Sequence, residues 1–182
     1  MKIAALALAA LVLASPARAQ PEVVAQKSFI RFAVTQMGIA VEGRFRKFDA
    51  KVAFDPAKPE STRAEFTVDV ASIELGTDEG ETEARRKPWL DAGGFPQARF
   101  SASSVRALGP NRFEARGPLT LKGVTREIAA PFTVSEAAGL RTVEGQFTLK
   151  RLQYKVGEGP WSDTDTVADD VLVRFRFVLP LR

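Results

Sequence analysis

Apolar and polar residues alternate along most of the chain after residue 28. In residues 28–36, Arg31 and Thr35 fall on one face of the segment, and the other face carries Ile30, Phe32, Val34 and Gln36. This period of two residues indicates β-strands with one buried face. The same alternation recurs in residues 50–55, 64–70, 99–104, 112–121, 130–134, 143–149 and 171–179. The pattern therefore predicts about eight strands.

Turn-forming residues separate the predicted strands, among them Asp55-Pro56, Gly109-Pro110-Asn111, Lys122-Gly123 and Ala138-Gly139. Strands with one apolar and one polar face are typical of antiparallel sheets, whereas a buried parallel sheet has continuous apolar runs. Closure of eight such strands into a barrel would leave no exposed sheet edge. The sequence thus predicts an all-β fold, an eight-stranded antiparallel β-barrel.

Two segments interrupt the alternation. Residues 77–96 are first acidic, then basic, and end in the apolar residues Trp89, Leu90 and Phe95. We expect a short helical insert followed by a loop, with the apolar end packed over one mouth of the barrel. Residues 159–170 have no clear period and are expected to connect the last two strands.

The first 19 residues have the features of a secretory signal peptide. Lys2 precedes an apolar run over residues 3–14, and Ala17-Arg18-Ala19 has the small-x-small form that signal peptidase cleaves. Cleavage after Ala19 would leave residues 20–182 as a single exported domain. An uncleaved anchor or a buried helix is the alternative.

The composition restricts the chemistry that the protein can perform. The chain contains no cysteine and no histidine, which excludes disulfides, Cys and His nucleophiles, imidazole bases and the usual zinc ligand sets. Lys and Arg number 26 against 22 Asp and Glu, a small excess that argues against nucleic acid as a partner. Phenylalanine occurs 13 times, which favours a large apolar interior because this side chain has no polar group.

The carboxylates offer no convincing catalytic or metal site. Acidic residues at the start of residues 77–96 are favoured by the dipole of a helix N-terminus. A second acidic group, around Asp163, lacks the glycine and the glutamate of a calcium loop and is expected to form a capped turn. Gly157-Glu158-Gly159 lacks the third glycine of a dinucleotide loop and is also expected to be a turn. No serine lies in a nucleophile elbow. Taken together with the lack of cysteine and histidine, these patterns lead us to expect no enzyme activity, no metal and no cofactor.

Arginines lie mostly opposite the phenylalanine face of the predicted strands, at positions 31, 44, 46, 174 and 176. The simpler interpretation is a solvated barrel exterior. The alternative is a basic patch that contacts anionic lipid or a protein partner.

The apolar face is the remaining candidate site. An eight-stranded barrel either fills its interior with side chains or holds one small ligand, and periodicity alone slightly favours the filled core. The residues predicted to face the interior are Ile30, Phe32, Val34, Val41, Phe45, Phe48, Phe54, Phe66, Val68, Phe100, Phe113, Phe132, Phe147, Phe175 and Phe177.

Several short motifs, in order along nearly the whole mature chain, resemble the YceI family of exported polyisoprenoid-binding proteins. They are G-x-F-x-x-F at residues 43–48, F-D-P followed by a serine at 54–61, D-V-A-S-I at 69–73, F-P-x-x-x-F at 95–100 and L-T-L-K-G-V-T at 119–125. The family is similar to lipocalins: an eight-stranded barrel whose apolar lumen holds a long isoprenoid chain, as in octaprenyl lipids or ubiquinone.

The resemblance implies a ligand-filled lumen and no catalysis. Gln36, Met37 and Trp161 join the predicted ligand contacts, and a polyprenyl lipid or isoprenoid quinone is the implied ligand. Many family members have a histidine just before the position of Gly38, where this chain has Gln36-Met37, so the head-group preference here can differ. Gln36 is a candidate hydrogen-bond partner for a quinone carbonyl or hydroxyl.

The sequence thus predicts a non-catalytic periplasmic carrier for a polyisoprenoid lipid, with transient contact to a membrane surface and oligomer formation both possible. Two alternatives stay open. One is a small outer-membrane barrel with phenylalanines facing lipid and arginines in the lumen. The other is a stress-related interaction protein with a filled core.

Overall fold

The computed structural model describes residues 23–181, so the predicted signal peptide lies outside the described residues. Within this range the chain forms one α-helix, α1 (Asp78–Arg85), and eleven β-strands. The strands are β1 (Phe29–Gln36), β2 (Ile39–Phe45), β3 (Phe48–Ala53), β4 (Arg63–Asp69), β5 (Ile73–Glu74), β6 (Gln97–Ser101), β7 (Ser104–Gly109), β8 (Arg112–Leu121), β9 (Val124–Ala137), β10 (Leu140–Lys150) and β11 (Val167–Pro180). Short 3-10 turns occupy Ala25–Lys27, Pro59–Ser61, Val70–Ser72, Arg151–Tyr154 and Gly159–Ser162.

All eleven strands belong to one strongly curled antiparallel sheet, called the barrel below. Its order is β3-β4-β6-β8-β9-β10-β11-β1-β2-β5, with β7 paired to β8 beside β6. The predicted all-β class and antiparallel pairing are confirmed, and the predicted number of eight strands is wrong. Each predicted segment coincides with a strand, but β2, β5 and β7 were not predicted separately.

The additional strands arise because long strands are interrupted. Strands β6 and β7 both pair with β8 and are separated only by residues 102 and 103. The interruption lies opposite Gly117 and Pro118 of β8, where a side chain at Gly117 would collide with the Ser101 carbonyl. Pro118 has no amide hydrogen to contribute to the ladder. A local break therefore replaces one continuous strand by two.

A second junction brings the two ends of the strand order together. Strand β2 continues into β3 through residues 46 and 47, and β4 continues into β5 through the turn Val70–Ser72. Across this junction the Arg46 amide donates to the Ser72 carbonyl at 3.1 Å, and the Asp69 amide donates to the Lys47 carbonyl at 3.0 Å. The sheet consequently encloses an interior.

Two-residue turns connect three of the hairpins. Met37-Gly38, Lys122-Gly123 and Ala138-Gly139 each have two consecutive residues with positive φ. This is the type I′ geometry, whose twist matches that of the adjoining strands, and it requires glycine or a tolerant residue at both positions.

The predicted helical insert is also confirmed. The side chain of Thr77 accepts a hydrogen bond from the Gly80 amide and caps α1. Arg85, in the last turn of α1, donates to the carbonyls of Ala71 and Ile73, which fixes the helix to β5 and the preceding turn. No helix within residues 23–181 has the length and apolar character needed to span a bilayer.

Two apolar clusters occupy opposite halves of the barrel. At one end, called the aromatic end, Phe54, Phe113 and Phe132 pack edge to face or stacked, with ring centroids 5.1–5.8 Å apart. The other end, called the helix end, lies below α1 and contains Leu90 and Tyr154. Trp89 of the insert packs against this second cluster as expected, whereas Phe95 is 38% exposed.

Candidate ligand-binding cavity

A cavity of about 580 Å³ runs through the interior of the barrel. Its lining extends from Phe54 and Phe132 at the aromatic end to Trp89 and Trp161 at the helix end. The volume lies within the range of roughly 300–1,000 Å³ that is usual for small-molecule sites. The interior therefore holds a cavity. The filled core, which periodicity alone slightly favours, is not what the structure has.

Fifteen of the predicted contact residues line this cavity. They are Ile30, Phe32, Val34, Gln36, Val41, Phe45, Phe54, Phe66, Val68, Phe100, Phe132, Phe147, Trp161, Phe175 and Phe177. The alternation of the strands places all of them except Phe54 and Trp161 on the inner face, since successive side chains of a strand point to opposite sides of the sheet. Phe54 follows the end of β3, and Trp161 lies in the turn Gly159–Ser162.

Three predicted contact residues lie elsewhere. Met37 occupies the tip of the β1–β2 hairpin and is 75% exposed, because the tight turn directs it away from the barrel. Phe48 packs edge to face on Phe177 at 5.8 Å, behind the cavity wall. Phe113 is buried beneath Phe54 and Phe132, where it belongs to the solid part of the aromatic end.

Several lining residues are not among the predicted contacts. Leu149, Val171 and Val173 continue the inner faces of β10 and β11, whereas the predicted contacts are mostly phenylalanines. Leu75, Trp89 and Arg151 come from connecting segments, where no strand period indicates which side chain faces inward. Of these three residues, only Trp89 has a feature in the sequence that indicates its position, because it belongs to the apolar end of the predicted insert.

Polar side chains line the cavity at the helix end, and elsewhere the lining includes buried Thr62, whose hydroxyl makes no hydrogen bond to another described residue. Exposed Glu79 of α1 is among the lining residues, so the cavity opens to solvent beside this helix. The indole rings of Trp89 and Trp161 lie there with centroids 5.4 Å apart. The Trp89 Nε1 is buried and makes no hydrogen bond to another described residue. We call this opening the mouth of the cavity.

Gln36 lies at the last position of β1, beside the mouth. The register of β1 with β11 shifts between Val34 and Gln36, so that Gln36 pairs with Val167. Such irregularities re-aim a side chain relative to the rest of its strand. The half-buried Gln36 side chain lines the cavity and makes no hydrogen bond to another described residue. Its amide is therefore available to a ligand.

Arg151 holds the loop that covers the helix end. Its side chain is 1% exposed and donates to five backbone carbonyls, those of Val156, Gly157, Trp161, Val167 and Ala168, at 2.7–3.0 Å. All five N–H donors of a guanidinium are thus satisfied. Burial lowers the pKa of Arg151, while the negative charge of Asp169 acts in the opposite direction.

Lys122 ties the same loop to the helical insert. The side chain is 5% exposed, and its Nζ lies 3.0 Å from a carboxylate oxygen of Glu158. Nζ also donates to the carbonyls of Pro88 and Lys155. Arg151 and Lys122 together fix the wall around the two tryptophans, so the mouth is built on a hydrogen-bonded frame.

The predicted arginine face lies outside the barrel. Arg44 forms a two-point ion pair with Glu74 at 2.9 Å, and the Arg44 hydrogen bond lowers the pKa of Glu74. Arg31 and Arg174 are exposed, and Arg31 also borders the cavity. Phenylalanines inside and arginines outside are the reverse of the arrangement that the outer-membrane alternative requires.

The carboxylates around Asp163 form the predicted capped turn. Asp163 accepts hydrogen bonds from the Thr166 hydroxyl at 2.7 Å and the Asp165 amide at 3.0 Å, and these bonds lower the pKa of Asp163. Across residues 23–181, no group of three or more acidic side chains is arranged to hold a metal ion.

Comparison with known proteins places the chain in a family. The YceI-like domain matches residues 22–179. A UPF0312 protein of Ectopseudomonas mendocina is 32% identical over 149 residues, which cover 76% of this chain and 78% of that protein.

Solved structures are similar as well. BcnA of Burkholderia cenocepacia is 38% identical and superposes with a TM-score of 0.84 over 86% of this chain and 98% of its own. A polyisoprenoid-binding domain from Saccharophagus degradans, implicated in plant cell wall breakdown, has the same fold, with a TM-score of 0.71 at 15% identity over 91% of this chain and 100% of that domain. The chain therefore belongs to the YceI family.

Proposed function

We propose that this protein is a non-catalytic carrier that holds a long-chain polyisoprenoid lipid, a polyprenyl lipid or an isoprenoid quinone, in the lumen of the barrel. The observation that carries the proposal is the apolar cavity of about 580 Å³ between the aromatic end and the helix end. The polyisoprenoid-binding domain of Saccharophagus degradans, which has the same fold, supports this ligand class.

The apolar lining favours the lipid tail. Each CH₂ group that leaves water contributes about 0.8 kcal/mol, so a chain of several isoprene units gains much of its affinity without polar contacts. Phe66, Phe100 and Phe147 offer aromatic surface along the lumen. The tail would extend toward the aromatic end, where Phe54 and Phe132 limit its length.

The polar groups at the mouth favour a small head group. The Gln36 amide can donate to a quinone carbonyl or accept from a prenol hydroxyl. Burying a polar head group without a partner is costly, so this one amide would orient the ligand with its head group at the helix end. The proposed location is the periplasm, and its support is the predicted signal peptide of residues 1–19.

Intrinsic fluorescence gives a direct binding assay. The only tryptophans in the sequence are Trp89 and Trp161, and both line the cavity. Adding a prenyl quinone to delipidated protein should quench their emission, and a non-quenching polyprenol should restore it by displacement. A matched pair of variants tests the location: Val34→Phe projects into the lumen, and Thr35→Phe, on the exposed face of the same strand, does not.

Val34→Phe is expected to weaken binding about tenfold or more, since overpacking typically costs about 1–3 kcal/mol. Thr35→Phe should bind like the unmodified protein. The proposal would be contradicted if both variants bound prenyl quinone with equal affinity. It would also be contradicted if no prenyl quinone quenched the emission and polyprenol displaced nothing.

A further inference from the structure

The tip of the β1–β2 hairpin presents two large apolar side chains to solvent. Met37 is 75% exposed and Ile39 is 70% exposed, the highest values among the large hydrophobic residues described. Gly38 lies between them and has open space around it. A monomeric protein gains nothing in its own core from these two side chains, so they are available to a partner.

The tip also lies beside the mouth of the cavity. Gln36, the residue before it, and Val41, two residues after Ile39, both line the cavity. The Met37 amide donates to the Thr166 carbonyl at 2.8 Å, which fixes the tip to the loop that covers the helix end. A surface that receives Met37 and Ile39 would therefore lie next to the opening.

The segment around the tip carries no charge. Residues 32–41 contain no Asp, Glu, Lys or Arg, and the nearest charged residues along the chain are Arg31 and Glu42. An uncharged apolar tip is suited to the hydrocarbon boundary of a bilayer, where a charged group is costly. Arg44 and Arg174 lie on the barrel wall with carboxylate partners nearby. The loop that accepts the Met37 hydrogen bond carries the exposed carboxylates of Asp163 and Asp165, so this end of the barrel suits a zwitterionic surface better than an anionic one.

We propose that Met37 and Ile39 insert into the surface of a zwitterionic lipid bilayer and bring the mouth of the cavity against it. This inference rests on the proposed function, since a carrier of a membrane lipid must exchange its cargo with a membrane. Two inserted side chains give a weak, reversible contact, weaker than the stable anchoring that requires two lipid chains. Such a contact allows the carrier to leave after exchange.

The absence of cysteine from the sequence makes the test site-specific. A single environment-sensitive fluorophore can be attached to Ile39→Cys, and a matched control carries it at Leu108→Cys. Leu108 is 41% exposed and lies near the β7–β8 turn at the aromatic end. With phosphatidylcholine vesicles free of prenyl lipid, we expect a blue shift and increased emission at position 39 and no change at position 108.

A second measurement uses unlabelled protein and the rate of cargo transfer. The double substitution Met37→Ser with Ile39→Ser should slow transfer of a fluorescent polyprenol from vesicles about tenfold, as expected when two apolar side chains are lost from the contact. Equilibrium binding of the dispersed polyprenol should be unchanged, and Leu108→Ser should alter neither quantity.

Three results would overturn the inference. The fluorophore at position 39 could fail to respond to vesicles, or positions 39 and 108 could respond equally. A response without vesicles, together with a dimer in sedimentation, would assign the tip to a contact between copies of this chain. Failure of the proposed function is distinguishable, because the vesicle response requires no bound cargo, whereas loss of polyprenol binding by the unmodified protein contradicts the carrier role alone.

Discussion

The ring of Phe32 lies directly over Gly43 on the neighbouring strand, in the space that a Cβ atom at position 43 would occupy. The same Cβ would lie 2.8 Å from a methyl of Leu75 and 2.9 Å from the Glu74 carbonyl. Phe32 in turn packs on Phe45, with ring centroids 5.6 Å apart. The absence of a side chain at Gly43 thus sets the position of an aromatic ring that lines the cavity.

Gly43→Ala is expected to destabilise the fold by about 1–3 kcal/mol, since the Glu74 backbone cannot move as readily as the Phe32 ring. Displacement of Phe32 would also narrow the lumen and weaken ligand binding. Urea denaturation checks the first effect. Gly93→Ala is the control, because a Cβ there meets nothing within 4 Å; equal stability of the two variants would contradict the close packing.

Removing the Arg151 side chain should be among the most damaging single changes. Arg151→Met keeps most of the length but leaves five carbonyl acceptors without their donors, so we expect a loss of about 3 kcal/mol or more. Arg151→Lys should rescue only part of this, because an ammonium has three donors and no planar fork. Thermal unfolding tests whether stability decreases from the unmodified protein to Arg151→Lys and then to Arg151→Met. Lys150→Met is the control with a small expected effect, because Lys150 is half exposed at the end of β10, directly before Arg151.

The Tyr154 hydroxyl is buried without a hydrogen-bond partner among the described residues. Tyr154→Phe should therefore leave stability unchanged or raise it by up to about 1 kcal/mol. Burial also raises the pKa of Tyr154, so the unfolded chain ionises first and stability falls as the pH rises past the ordinary tyrosine pKa of about 10. Denaturation at neutral and alkaline pH should show a smaller alkaline loss for Tyr154→Phe; an equal loss would contradict the burial argument.

Exterior ion pairs predict the response to acid. Hydrogen bonds from Arg116 and Arg106 lower the pKa of Glu114, and those from Arg44 lower that of Glu74. Because the unfolded chain then takes up protons first, this stabilisation is complete above the ordinary glutamate pKa of about 4.3 and is lost as the pH falls toward the lowered values. Glu114→Gln should lower the Tm at neutral pH and reduce its further decrease in acid; a parallel pH profile would contradict this assignment.

Sequence periodicity was sufficient to predict which faces of the strands point inward. It was not sufficient to predict that the interior holds a cavity, because this depends on how widely the sheet curls and not on which residues face inside. Position 43 illustrates the limit: an inward glycine breaks the apolar alternation, and β2 was not recognised as a separate strand. Arg151 is a second example, since its five acceptors come from residues 156–168, whose irregular path follows no local rule.

Met37 shows the opposite failure. It is a predicted ligand contact, but the positive φ of 49° at Met37 and the tight turn place its side chain outside the cavity. The pattern of alternation ends at a turn, and a residue within the turn is no longer assigned to either face. The exposed tip of the β1–β2 hairpin is therefore a surface separate from the cavity lining.

Native mass spectrometry of the protein, purified without detergent from the exported fraction, is the most direct test for a lipid in the lumen of the barrel. We expect an additional mass that corresponds to a polyprenyl lipid or isoprenoid quinone, released on unfolding and found in an organic extract. Val34→Phe should retain less of it than Thr35→Phe. A protein that is empty as purified, and that stays empty after incubation with prenyl lipids, would contradict the role of lipid carrier.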